Sequence, residues 1–223
     1  IPAIIFSMIA QAKVQSTFGR YSRIRNSKGL TGAQAARAVL DRNGLQNVKI
    51  VAVSGNLTDN YNPGNRTLNL SESVYGAATV SAVSVACHEA GHAIQHSRGY
   101  FPLKFRNAIV PVVNFSSRMS WLLIIAGIIL MSVNSVNSSL GLRLLDLGII
   151  AFIAVLVFHI ITLPVEFDAS HRAIKQMEAL NLVSSQDIAG SKKVLGAAAM
   201  TYIAAVAVAA ANLLRVLVIR NRN

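Results

Sequence analysis

The 223-residue chain is 53 % hydrophobic and only 13 % charged, and its single cysteine, Cys87, excludes an intramolecular disulfide and suits a reducing compartment. Its net charge of +12 suggests nucleic acid, but 13 of its 21 Lys and Arg residues lie between Lys13 and Arg118, and only Arg143 falls between Arg118 and Arg172. That asymmetry belongs to a membrane protein with its positive residues on the cytoplasmic side, and no aromatic-studded basic motif is present, so nucleic acid is not an expected partner.

Ile1–Ala10 is apolar but too short for a bilayer span, which takes about 20 residues, and it lacks the basic lead of a signal peptide. It reads as the end of an N-terminal transmembrane helix whose start precedes this sequence. Lys13, Arg20, Arg23, Arg25 and Lys28 follow and mark the cytoplasmic side, where they could also dock on anionic lipid. From Leu30 the composition becomes that of a soluble domain. Thr31 reads as an N-cap, Ala33–Asn43 as a short amphipathic helix and Gly44 as its stop. Val48–Val53 alternates like a strand, Ser54–Arg66 is a turn-rich loop, and Thr67–Leu70 is a second short strand. That second strand is either internal to a sheet or free to pair with an extended peptide. Ser71 or Ser73 is the expected cap of the long helix that follows.

That helix carries His88-Glu89-Ala90-Gly91-His92, an H-E-x-x-H pattern with helix-compatible neighbours and Gly99 just past its end. Residues four apart share a helical face, so His88 and His92 can aim at one ion, while Glu89 is turned toward an ion-bound water. Neutral imidazoles are common zinc ligands, and a catalytic zinc keeps three protein ligands. Cys87 points roughly 100° away from His88 and reads as a small buried residue.

A 24-residue stretch without charge separates Arg118 from Arg143; within it Ser120–Val133 is strongly apolar, and Trp121 is placed as an interface anchor. A polar turn is expected at Asn134–Ser139. Leu147–Val165 and Leu195–Leu214 are uncharged for 19 and 20 residues. Two crossings by the middle runs would return the chain to the side of His88, where Glu166 and Asp168, the only acids between Asp146 and Glu178, could deliver a carboxylate. Among rivals, His96 lies about 12 Å along the axis from His88 and cannot share an ion with it. His171 could be a ligand, or could stand near the site with Tyr61 or Arg172 as an oxyanion donor or a surface residue. Asp168 could orient a ligand histidine. His159, inside the second run, reads as a neutral hydrogen-bonded histidine, with a functional role as the alternative.

Leu57-Thr58-Asp59-Asn60-Tyr61-Asn62-Pro63, VACHEAGHAIQH and LPVEFDASHRA together resemble the bacterial YugP-type membrane zinc metallopeptidases, over essentially the whole chain. The resemblance implies a gluzincin-like site: zinc held by His88, His92 and Glu166, with Glu89 as general base. The E-F-D-A stretch is also similar to the third-ligand helix of CAAX-type and heat-shock-induced zinc proteases. Many of those carry Asp four residues after the Glu, where this chain has Ser170. The departure bears on the partner of a ligand, not on the ligand itself.

The expected fold is mainly α: a polytopic membrane protein with a small α+β zincin-like domain at the cytoplasmic face and about four transmembrane helices, the first truncated. Residues 1–10 end the first helix, 11–119 form the membrane-proximal domain with the H-E-x-x-H helix, and 120–165 form a transmembrane hairpin. Residues 166–194 supply the third-ligand helix, and 195–223 the last span and tail. The expected activity is that of a zinc-dependent endopeptidase in the bacterial cytoplasmic membrane. Polypeptides or membrane proteins would be its substrates, the bilayer its surroundings, and a second copy or another membrane protein a possible partner. The alternative is a non-catalytic scaffold or partner-binding subunit that retains the metal motif. Cleavage within the bilayer is disfavoured by the short, Ser- and Ala-rich run before His88.

Overall fold

The computed structural model describes residues 2–133 and 138–221. The polar turn expected at Asn134–Ser139 lies outside the described residues over 134–137, and Ser138 and Ser139 already belong to a helix. In chain order the elements are α1 (Pro2–Tyr21), α2 (Gly32–Arg42), β1 (Lys49–Val53), β2 (Asn60–Asn62), β3 (Thr67–Ser71), α3 (Glu72–Tyr75), α4 (Val80–Ser97), α5 (Phe101–Val133), α6 (Ser138–Ala179) and α7 (Ser185–Asn221). The chain is mainly helical and falls into two units. A mixed unit contains Met8–Lys104 and Pro164–Thr201; a helical unit contains Ile1–Ser7, Phe105–Leu163 and Tyr202–Asn223.

In the mixed unit, α2 starts on a capping box: Thr31 Oγ1 accepts from Gln34 N while Gln34 Oε1 accepts from Thr31 N. The helix ends where Gly44 takes φ +73°, a conformation that costs a residue without Cβ little. Its inner face, Ala35, Ala36, Val39 and Leu40, packs with Leu68 and Leu70 of β3, with Val83, Ala86, Cys87 and Ala90 of α4, and with Ala173 and Met177 of α6. Each large apolar side chain buried there contributes about 1.5–3 kcal/mol.

The sheet has the order β1-β3-β2, with β1 parallel and β2 antiparallel to β3. β3 is therefore the internal strand, hydrogen-bonded on both sides, and has no edge to offer a peptide. β2 emerges from within the stretch expected to be loop; its short span carries too little periodicity to be seen in sequence.

The expected cap at Ser71 or Ser73 is corrected. Ser71 precedes the four-residue α3, and its side chain bonds the Asp59 carboxylate at 3.0–3.1 Å instead. α4 starts later, capped by Thr79, whose Oγ1 accepts from Ala82 N at 3.3 Å. The reason is tertiary: the carbonyls of Ala77 and Ala78 are taken by the amides of Gly32 and Asn26 at 3.1 and 3.0 Å, and Thr79 bridges Arg25. That backbone is already paired and cannot join the helix.

In the helical unit, α5 and α6 approach through glycines. A Cβ on Gly127 would sit 2.8 Å from Gly141 O, and one on Gly141 would sit 2.9 Å from Gly127 O. Small residues allow this closeness where apolar surroundings supply no hydrophobic drive. Ile124, Leu145, Ile149, Phe152 and Val216 pack beside them, and Trp121 meets Phe152 edge-on at 5.5 Å. Phe115, Leu122 and Ile150 remain more than 60 % exposed. Such apolar surface suits lipid rather than water. Among the described residues three helices, Phe101–Ser132, Ser139–Ala179 and Ser185–Asn221, are long and apolar enough to cross a membrane. α1 runs as one helix from Pro2 to Tyr21, past Lys13 and Arg20.

Candidate metal centre

α4 presents His88 and His92 one turn apart, and α6 presents Glu166 opposite them. Glu166 Oε2 lies 3.2 Å from His88 Nε2 and 3.5 Å from His92 Nε2. The meeting depends on Gly91: a Cβ there would sit 2.6 Å from Ala169 O, so α4 and α6 can approach this closely only without a side chain at that point. Val165, Ala169, Ala173 and Met177 are fully buried along the same stripe of α6, each four residues from the next as neighbours on one helical face are.

The two imidazoles are held from behind. Gln95 is fully buried; its Nε2 donates to Val165 O and to Asp168 Oδ2, both at 2.8 Å. Both amide hydrogens are thereby used, so Gln95 Oε1 must accept from His92 Nδ1 at 3.0 Å. The network assigns the His92 proton to Nδ1 and leaves the Nε2 lone pair facing the Glu166 carboxylate. His88 Nδ1 is hydrogen-bonded to Ser170 Oγ at 3.1 Å, which turns its Nε2 to the same point.

A lone pair on His92 Nε2 and the Glu166 carboxylate repel each other unless a positive charge stands between them. Burial alone would depress the His92 imidazole, but the hydrogen bond with Glu166 and the charges of Glu89 and Glu166 outweigh it and raise its pKa above the ordinary 6.5. A metal ion answers the same need. Two donors each about 2.0–2.1 Å from one tetrahedral zinc lie about 3.3 Å from each other, which the observed separations match. The residues fit a zinc ion. His88, Glu89 and His92 offer ligand atoms that all lie within 4.8 Å of one another, so a second carboxylate stands at the edge of the cluster.

Other candidates from the sequence fall elsewhere. Asp168 bonds neither His88 nor His92; it meets His92 one step back through Gln95 and is held by Arg172 Nε at 2.6 Å. The Arg172 guanidinium in turn lies over the Tyr100 ring at 5.8 Å. The Tyr61 hydroxyl bonds His96 Nδ1 at 2.9 Å rather than any group of the cluster. His171 is exposed, and none of the cluster's hydrogen bonds involves it. Burial pushes the Cys87 thiol up to about 12, so it is an inert apolar filler. His159 meets the edge of Phe158 at 5.7 Å and lines a cavity of about 300 Å³ with Ser120, Trp121 and Asn212. The sequence reading missed Gln95 and did not place Ser170, although each sits one helical turn from a residue of the cluster, Gln95 three residues after His92 and Ser170 four after Glu166.

No solved structure matches the chain. The chain is 46 % identical over 219 residues to "Putative membrane protease YugP" of Bacillus subtilis (strain 168), an alignment covering 98 % of this chain and 93 % of that relative. A family model described as "Putative neutral zinc metallopeptidase" matches residues 1–221. With the donor set above and a match over almost its full length, the chain belongs to that zinc metallopeptidase family.

Proposed function

We propose that this protein is a membrane-anchored, zinc-dependent endopeptidase, with His88, His92 and Glu166 as metal ligands and Glu89 as general base. The observation that carries the reading is the convergence of His88 Nε2, His92 Nε2 and Glu166 Oε2 with Glu89 beside them. When bound, zinc supplies electrophilic polarisation of a scissile carbonyl and acidifies a water molecule. Glu89 accepts that water's proton at its carboxylate and returns it to the departing amine. Gln95 and Ser170 fix the imidazole planes, and Asp168 with Arg172 fixes Gln95.

The mixed unit is then the small zincin-like catalytic domain, and the apolar part of α1 is a fourth membrane helix beside the three long ones. The crowding of basic residues between Lys13 and Arg118 supports a catalytic domain on the cytoplasmic face of a bacterial membrane. Polypeptides or membrane proteins are the substrate class, with a second copy or another membrane protein as partner.

The test uses the full chain reconstituted in membranes with zinc and a peptide library. Glu89→Gln should keep stoichiometric zinc and lose turnover by about 10²–10⁴-fold. Glu166→Ala should lose the zinc. Turnover retained by metal-replete Glu89→Gln rejects the assigned base, and a zinc-loaded wild type that cleaves nothing rejects the enzyme in favour of a scaffold.

A further inference from the structure

The basic residues of α1 are not used by the metal centre. Lys13 and Arg20 lie seven residues, two helical turns, apart on α1 and so share a face, with Ser16 and Thr17 between them. With Tyr21, and with Lys193, Gly196, Ala197 and Met200 of α7, they line a groove of about 700 Å³ within the mixed unit. α1 and α7 are held together at its end by Tyr21, buried against Val80 and Val194; a Cβ on Gly190 would sit 2.7 Å from the Tyr21 ring.

Three features give the groove a chemistry. No acidic residue lines it, and among the described residues Lys13, Arg20 and Lys193 have no ion-pair partner. Lys192, beside Lys193, is by contrast paired with Glu178 at 3.4 Å. The floor is apolar and open: Gly196, Ala197 and Met200 form it, and nothing lies within 4 Å of a Cβ built on Gly196. Finally, the groove stands where both helices change character. α1 carries no charge before Lys13, and α7 carries none from Val194 to Leu214, immediately after Lys193. Cations and hydroxyls at the polar end of two apolar stretches, above an apolar floor left open at Gly196, form an amphipathic site.

We propose that this groove binds an anionic phospholipid, with the phosphate held by Lys13, Arg20 and Lys193 and the start of an acyl chain lying over Gly196, Ala197 and Met200. A free anion would use the cations but not the apolar floor, and a zwitterionic lipid would bring its own cation against three others. Basic pockets between helices at a membrane surface suit such head groups, each cation strengthening binding about fivefold.

The experiment is native mass spectrometry of the detergent-solubilised full chain, titrated with phosphatidylglycerol, phosphatidylcholine or inorganic phosphate. Phosphatidylglycerol should bind and phosphatidylcholine should not. The triple variant Lys13→Gln, Arg20→Gln, Lys193→Gln should bind phosphatidylglycerol on the order of a hundredfold more weakly. Gly196→Trp, which fills the floor and changes no charge, should also lose the lipid while thermal unfolding is unchanged. A control triple, Arg42→Gln, Lys49→Gln, Arg98→Gln, removes the same charge elsewhere and should keep it. Lipid retention by the groove variants overturns the proposal, as does equal loss in the control, which marks diffuse attraction. Displacement of the lipid by an equal concentration of inorganic phosphate also overturns it, because it marks a site for free anions.

Discussion

The two units use one device for different ends. In the helical unit, Gly127 and Gly141 let α5 and α6 touch, and what the contact yields is apolar packing. In the mixed unit, Gly91 lets α4 touch α6 at Ala169, and what the contact yields is a buried meeting of two imidazoles and a carboxylate. Close approach in apolar surroundings tolerates small errors, because dispersion contacts are many and weak. A metal site does not, since its donors must stand within about 0.2 Å of their positions. The same enlargement of a glycine should therefore have different consequences in the two units.

The largest expected effect is at Gly91. Gly91→Val overpacks the contact with Ala169, should destabilise the protein by about 1–3 kcal/mol, and should abolish stoichiometric zinc binding as Glu166 is pushed from the histidines. Gly127→Val should cost a similar amount of stability and leave zinc affinity unchanged. Melting temperature and zinc stoichiometry measured together on both variants decide the matter; equal zinc loss in the two would erase the distinction.

Next in size are the groups behind the two histidines. Gln95→Leu removes the acceptor that sets the His92 tautomer and leaves Asp168 and Val165 O without that donor, so zinc affinity should fall about 10–100-fold. Ser170→Ala should sit at the weak end of that range, because a hydroxyl can both donate and accept and water can replace it. Competitive chelator titration gives the order; a larger loss at Ser170 than at Gln95 would show that His88, not His92, is the imidazole whose orientation limits the site.

The smallest effect concerns a carboxylate away from the cluster. Burial pushes the Asp59 carboxyl above its ordinary 3.8, against the lowering effect of its bonds from Ser71 N and Oγ. The sign follows: a raised folded value means that a favourable contribution is complete below the unfolded value and is lost as pH rises through the folded one. Asp59→Asn retains an acceptor for Ser71 N and cannot ionise, so it should be slightly more stable than wild type at pH 7. The advantage should vanish below pH 3.8. Thermal melts of both proteins across that window check it, and an advantage that grows on acidification would reverse the assigned sign.

Much of the site was legible because helical periodicity is local. His88 and His92 four apart, Glu89 between them, and a carboxylate after an apolar run need only the 3.6-residue repeat to be read. Gln95 and Ser170 obey the same repeat, yet glutamine and serine at helical spacing are too common to stand out. Their importance comes from what lies across the helix contact. β2 and the start of α4 were hidden for a related reason. A three-residue strand has almost no pattern, and the choice between Ser71 and Thr79 as cap rests on Gly32 and Asn26 claiming the carbonyls of Ala77 and Ala78 from more than 40 residues away.

By itself, then, the sequence determined what depends on neighbours along the chain: the apolar runs, the basic cluster, the H-E-x-x-H face, the stop at Gly44. Tertiary structure alone decided that β3 is internal, that Thr79 caps α4, and that Asp168 reaches His92 through Gln95. Each of these rests on a contact between residues that are not neighbours along the chain. It is set by how closely two backbones can approach, and at Gly91 that distance turns on the absence of one methyl group.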